Sequence, residues 1–221
     1  MQTIERSTTL AEKAYHAILE AICEGRLRPG EKLTQEVIAD RLKISRMPVG
    51  QALMTLKHQA FVRQNGGRSL SVSPLDHDFF RAIYELRSAL DPLAAQLAVT
   101  NANPGSIAEL GRLVAAGQRA SSSGNVARLV AADMEFHMFI YRLSGNPLIS
   151  EAMELYWNHL RRGMVAIYRT QRRRGDIWKE HAAIGKAIAD GDGRKAKTLA
   201  VQHVQVSSKI VPAALAELDG D

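Results

Sequence analysis

Asp133 and His137 stand four residues apart in a stretch of helical periodicity, so a helix presents both on one face. Val130, Ile140 and Tyr141 share that face and point the pair inward. Two more histidines, His181 and His203, follow 22 residues apart on the last two helical stretches. Antiparallel packing of those stretches would bring both imidazoles to the Asp133/His137 face. One carboxylate and three imidazoles suit Zn, Ni, Co, Mn or Fe(II), and a helical bundle can aim such ligands into its core. Any one of these histidines reads as well as a hydrogen-bonded core residue or a surface residue, and spacing alone leaves both readings open.

A second group carries charge rather than ligands. Residues 1–75 contain 11 Lys/Arg and 7 Asp/Glu, and every acid lies at or before Asp40. From Arg41 to Leu75 there are basic residues only: Arg41, Lys43, Arg46, Lys57, Arg63 and Arg68. The remainder of the chain is nearly balanced, although the whole carries +6. An acid-free basic window joined to a balanced larger part suits a polyanion-binding module with something attached.

Other chemistries find no support. There is no H-E-x-x-H, no histidine follows a Glu by three residues, and no phosphate-binding loop surrounds Gly191 and Gly193. A hydrolytic metalloenzyme would want a positioned general base besides its ligands. The single cysteine, Cys23, forms no internal disulfide and reads as a core residue, which fits a reducing cytoplasm. The N-terminus has charges where a signal peptide needs an apolar run, and no uninterrupted apolar stretch approaches 18 residues. These features predict a soluble, cytoplasmic protein that is not an enzyme and does not contact a membrane. The alternative is a metal-dependent enzyme using the Asp/His₃ set with an appended basic domain.

The elements that must position these groups follow from periodicity and punctuation. The chain is 221 residues, 46% apolar and only 5% aromatic, which favours helix packing. Helical spacing from Leu10 stops at Gly25; Thr34 caps a second helix with Val37, Ile38 and Leu42 inward; Ser45 caps a third with Pro48 in its first turn. Two β-like runs, 61–63 and 70–72, flank Asn65-Gly66-Gly67, a hairpin signal. Three helices and a hairpin make a winged helix-turn-helix whose third helix enters a major groove. Ser45, Arg46 and Met47 lead that helix, Arg46 reaching base edges or phosphate. Gly67 and Arg68 form the wing tip, and Gln51 could read an adenine or simply face solvent. Beyond Ser73-Pro74-Leu75-Asp76 the pattern predicts six helices and no strand, an all-α bundle, with Phe80, Ile83, Leu86, Leu90, Leu93 and Leu97 on one stripe of its first helix. The fold class is therefore mainly α, with a winged helix-turn-helix over 1–74 and a six-helix bundle over 75–221. The arginine-rich stretch from Arg161 to Arg174 reads chiefly as a solvated helix end.

Leu27-Arg28-Pro29-Gly30-Glu31-Lys32-Leu33 and Ile44-Ser45-Arg46-Met47-Pro48-Val49-Gly50-Gln51-Ala52-Leu53 resemble the DNA-binding domain of GntR-family transcriptional regulators. The family pattern carries Thr, Arg and Glu where this chain has Met47, Gly50 and Gln51, so one cationic DNA contact is lost. The second part is similar to the FCD ligand-binding domain of the FadR-like branch, in its six-helix, VanR-like variant. Glu85 to Ala94 resembles its opening helix, Asp133-Met134-Glu135-Phe136-His137 with Ser144-Gly145-Asn146 its D-x-x-F-H…S-G-N segment, and Glu180-His181 and Gln202-His203 its later histidines.

The resemblance implies a bound divalent metal, Zn, Ni or Mn being favoured, held by Asp133, His137, His181 and His203 beside a cavity for a small organic acid. It also implies a homodimer on a double-stranded DNA operator, with Arg28, Ser45, Arg46 and Arg68 at the phosphates, bases or wing. Arg87 either forks an effector carboxylate or pairs with Glu85 or Asp91.

Overall fold

The computed structural model describes residues 8–67, 69–170 and 177–219. They fall into two compact units, Met1–Leu75 and Asp76–Asp221.

In the first unit, Thr9 opens α1 (Leu10–Cys23) through a capping box: Glu12 N–H donates to Thr9 Oγ1, and Thr9 N–H donates to the Glu12 carboxylate at 2.8 Å. Thr34 caps α2 (Gln35–Leu42) by accepting the Val37 N–H at 3.3 Å. Lys43 then takes a left-handed conformation, φ 56°, and the chain turns sharply into α3 (Arg46–His58). Strands β2 (Val62–Asn65) and β3 (Ser69–Val72) form the hairpin, with Val62 opposite Val72 and Asn65 opposite Ser69.

Three details differ from expectation. A third strand, β1 (Lys32–Leu33), pairs antiparallel with β3 and gives the order β1-β3-β2. Two residues are too few to show a period of two. Val37 is 49% exposed, because Ile38 and Ala39 supply the inward side of α2. Ser45 holds the N-cap position of α3, but its hydroxyl makes no capping hydrogen bond. Ile18, Ile22, Val49, Leu53, Leu56, Phe61 and Val72 form this unit's core, and Cys23 is buried among them.

The second unit is all helical among its described residues: α4 (His77–Asn101), α5 (Pro104–Ser123), α6 (Val126–Leu143), α7 (Pro147–Thr170), α8 (Ile177–Ala189) and α9 (Gly193–Asp219). Helix α4 lies along α9, α6 packs between α5 and α7, and α8 packs against α5 and α9. Asp76 starts α4 by accepting the Asp78 and Phe79 N–H groups. Gly124, at φ 70°, ends α5.

The inward stripe of α4 is rotated from the leucine pattern. Phe80, Ile83, Tyr84, Arg87, Asp91, Ala94, Ala95 and Ala98 are buried, whereas Leu93 is 41% exposed and Leu86, Leu90 and Leu97 are half-buried. A buried ion pair thus takes the place in the core that apolar counting gives to leucines. Two glycines let aromatic rings approach a backbone: a Cβ on Gly117 would lie 1.9 Å from the Trp178 ring, and one on Gly163 would lie 2.4 Å from the Phe80 ring. Arg162 is buried, contrary to a solvated helix end, and residues 171–176 lie outside the described residues.

Candidate metal centre and nucleic-acid interface

Three helices bring the proposed ligands into one buried region. Asp133 and His137 sit one turn apart on the inward face of α6, His181 comes from α8 and His203 from α9. All four are at most 4% exposed. The three histidines each offer a ring nitrogen within 4.8 Å of the others. Nε2 of His181 lies 3.4 Å from Nε2 of His203 and 3.5 Å from Oδ1 of Asp133.

The donor chemistry fits a cation. His203 Nδ1 meets Glu180 Oε2 at 2.8 Å, so its proton belongs there and its Nε2 presents a lone pair. Asp133 Oδ1 is buried with no hydrogen-bond partner. The His181 ring nitrogen therefore stands near both a lone pair on His203 and an orphaned carboxylate oxygen, while Asp133 lies outside the group in which all three histidines reach one another. The two distances from His181, 3.4 and 3.5 Å, are close to the edge of about 3.4 Å in a tetrahedron of zinc ligands at roughly 2.1 Å. Burial lifts the Asp133 carboxyl to about 6, although Arg87 and His203 draw it back. Burial, reinforced by Arg87 and the neighbouring rings, holds His137 and His181 well below the ordinary histidine value, which keeps them neutral as metal binding requires.

Arg87 lies against this centre, and its partner is Asp91. Nε and Nη2 donate to the same Asp91 oxygen at 3.1 and 2.8 Å, while Nη2 is 3.4 Å from His137 Nε2. The other Asp91 oxygen accepts the Tyr141 hydroxyl at 2.5 Å. The guanidinium lies over the Tyr84 and Trp157 rings, 5.2 and 5.1 Å from their centroids. Burial works against its charge, and Asp91 more than restores it, so its pKa stands above the usual arginine value. Asp91, His137, Ile140, Tyr141, Ile184 and His203 line a cavity of about 10 Å³, room for roughly one water.

Three participants escaped sequence reasoning. Glu180 stands in the sequence simply as the residue before His181, yet in the fold it sits beside the His203 imidazole. Trp157 stacks 5.2 Å from the His137 ring and Trp178 stands 4.7 Å from the His181 ring. Core tryptophans look alike in sequence, so no signal marked these as walls of the centre.

On the first unit, the leading edge of α3 faces solvent. Arg46 and Gln51 are exposed and Met47 is 73% exposed. Arg28 is exposed beside the turn into β1, its backbone N–H donating to the Glu31 carboxylate. In the wing, Gly67 takes φ 73° and its carbonyl accepts from the Gln64 amide, which in turn accepts from Lys57 Nζ of α3 at 2.6 Å. Arg68 lies outside the described residues. At Gly50 a Cβ would meet the Gln35 side-chain amide at 3.0 Å, so Gln35 covers the place where a larger residue would stand.

Residues 82–206 match the FCD domain family, and residues 10–72 match the bacterial regulatory proteins of the gntR family. The chain is 28% identical to the HTH-type transcriptional regulator McbR of Escherichia coli over 144 residues, 65% of each chain and so just under two thirds of that protein. It is 21% identical to the uncharacterised HTH-type transcriptional regulator YdhC of Bacillus subtilis over 202 residues, 91% of this chain and 88% of that one. The solved structure of E. coli McbR superposes with a TM-score of 0.80 over 93% of this chain and 98% of the other, at 22% identity. Among the described residues no helix is long and apolar enough to cross a membrane.

Proposed function

This chain belongs to the GntR family of bacterial transcriptional regulators, in its FadR-like branch with an FCD domain, and on that premise we propose that a small organic acid bound beside a divalent metal in the second unit controls operator binding by the first. The protein is a DNA-binding regulator and not an enzyme. The observation that carries the finer reading is the convergence of His137, His181 and His203 in a buried pocket, with the orphaned Asp133 oxygen 3.5 Å from His181.

Asp133, His137, His181 and His203 hold the metal, with Zn, Ni or Mn fitting the donor set. When bound, it supplies a cation to which a carboxylate can attach. Glu180 orients His203 by accepting its Nδ1–H, and Asp133 waits desolvated for a positive partner. Arg87, locked to Asp91, forms the wall against which the effector sits. Because Arg87 belongs to the first helix after the linker, an effector that prefers one arrangement of this wall can bias how the DNA-binding units are held.

Residues 1–74 act as the DNA-binding domain and 75–221 as the metal, effector and dimerisation domain. One winged helix reads few base pairs, so a homodimer on two half-sites is required for specificity. Arg46 reads the major groove from α3, with Ser45, Met47 and Gln51 beside it, and Arg28, Gly67 and Arg68 approach the backbone and the wing side. The protein works in the cytoplasm, where its DNA is. Elemental analysis of protein purified without chelator tests the metal: the wild type holds about one equivalent, and His137→Ala and His203→Ala lose it. Variants that retain as much metal as the wild type would overturn the assignment.

A further inference from the structure

We propose that Asp91 restricts the effector to a small monoanion, by occupying Arg87 and leaving the metal as the only unsatisfied positive charge in the pocket. This deepens the metal-and-effector reading above and rests on it. The charges buried around the pocket decide it. Arg87 and Asp91 are 2% and 5% exposed and joined by two N–H donors on one oxygen, so they cancel. The second Asp91 oxygen is held by Tyr141, which fixes the carboxylate against turning away. The tyrosines near the pair, Tyr84 and Tyr141, stay neutral, because burial pushes their hydroxyls upward, Tyr84 to about 12.

What remains is a divalent cation with one anionic ligand, Asp133, and neutral imidazoles from His137, His181 and His203. One negative charge from a ligand balances it. Glu180 adds a further acid at the edge, its side chain 35% exposed and open to solvent screening. A dianion would bring a second carboxylate into a pocket whose arginine is already taken, and that charge would be buried without a partner. The cavity of about 10 Å³ between Asp91, His137 and Tyr141 adds a size limit, since even a short acid must move side chains to enter.

The test compares two acids of equal carbon number, butyrate and succinate, on the zinc-loaded full-length protein. Trp157 and Trp178 are the chain's two tryptophans and both face the ligand histidines, so intrinsic fluorescence reports binding, with calorimetry as a second readout. Wild type should bind butyrate at least tenfold more tightly than succinate. Asp91→Asn frees one charge on Arg87 and should shift that ratio at least tenfold toward succinate. The double variant Arg87→Gln/Asp91→Asn restores the charge balance and should recover the wild-type preference, and it serves where Asp91→Asn alone does not fold. Succinate bound as tightly as butyrate by wild type, no binding of either acid, or an unchanged ratio in Asp91→Asn would each overturn the proposal. Zinc content is measured separately beforehand: a chain that holds no zinc removes the metal reading itself, whereas a zinc-loaded chain with the wrong acid preference removes only the role of Asp91.

Discussion

His203 gives its Nδ1–H to Glu180 Oε2 at 2.8 Å, and this contact turns its Nε2 toward Nε2 of His181, 3.4 Å away. A partly exposed carboxylate thereby fixes the tautomer of a buried imidazole. Carboxylate–histidine pairs of this kind raise ligand basicity and hold ring orientation.

Removing the Glu180 carboxylate should therefore weaken metal binding without removing a ligand. Glu180→Ala is expected to lose about 10–100-fold in zinc affinity by chelator competition. Glu180→Gln keeps an oxygen acceptor and should lose less. Equal affinities for wild type and Glu180→Ala would show that His203 needs no such support.

The metal-free protein should be strained at Asp133, and the sign follows from burial. Its folded pKa of about 6 lies above the ordinary aspartate value of 3.8, so its contribution is intact below that lower value and is lost as pH rises through 6. With metal chelated, Asp133→Asn should then be the more stable protein by about 3 kcal/mol at pH 8, and by about half that at pH 5. The depressed histidines have the opposite sense, losing stability as pH falls through the unfolded value of 6.5, but both proteins share them. Urea unfolding at the two pH values checks the difference, and a stability advantage that grows toward low pH would contradict it.

Packing supports the centre from behind. An alanine at Gly117 gains about 1 kcal/mol of helix propensity but drives its Cβ into the Trp178 ring, which itself lies beside His181. Overpacking of this kind costs about 1–3 kcal/mol, so Gly117→Ala should unfold at lower denaturant and bind zinc more weakly. Unchanged zinc affinity in a folded Gly117→Ala protein would separate Trp178 from the site.

Much of this arrangement was legible in the sequence because the signals were local. The four-residue spacing of Asp133 and His137, the helix stop at Gly25, and the Asn-Gly-Gly hairpin each rest on backbone geometry within a few residues. What was missed depends on contacts distant in sequence. The leucines of α4 are regular enough to suggest a core stripe, yet Arg87 and Asp91 turn inward because Tyr141 and Trp157 complete their partners. Glu180 matters only because His203 comes to it from another helix, and β1 exists only because β3 offers it an edge.

On the DNA side, Arg46→Ala should weaken specific binding by about 1–3 kcal/mol if Arg46 forks a guanine. Gly50→Arg meets only the movable Gln35 amide, so it should fold, tighten non-specific binding and steepen the salt dependence by about 0.9 in log–log slope per added phosphate contact. Anisotropy over a salt series measures both; an Arg46→Ala protein with wild-type operator affinity would remove Arg46 from the interface.

The central claim joins the two units, and one titration addresses it directly. Labelled DNA from the chain's own promoter region is titrated with zinc-loaded protein, zinc-loaded protein plus butyrate, and chelated protein at one salt concentration, in parallel with His137→Ala/His203→Ala. Wild-type DNA affinity should change by at least about fivefold between the loaded states with and without butyrate, as coupling between two sites of 1–3 kcal/mol requires. The double variant should give one affinity under all three conditions. A wild type indifferent to zinc and butyrate, or a double variant that responds as the wild type does, would contradict the account.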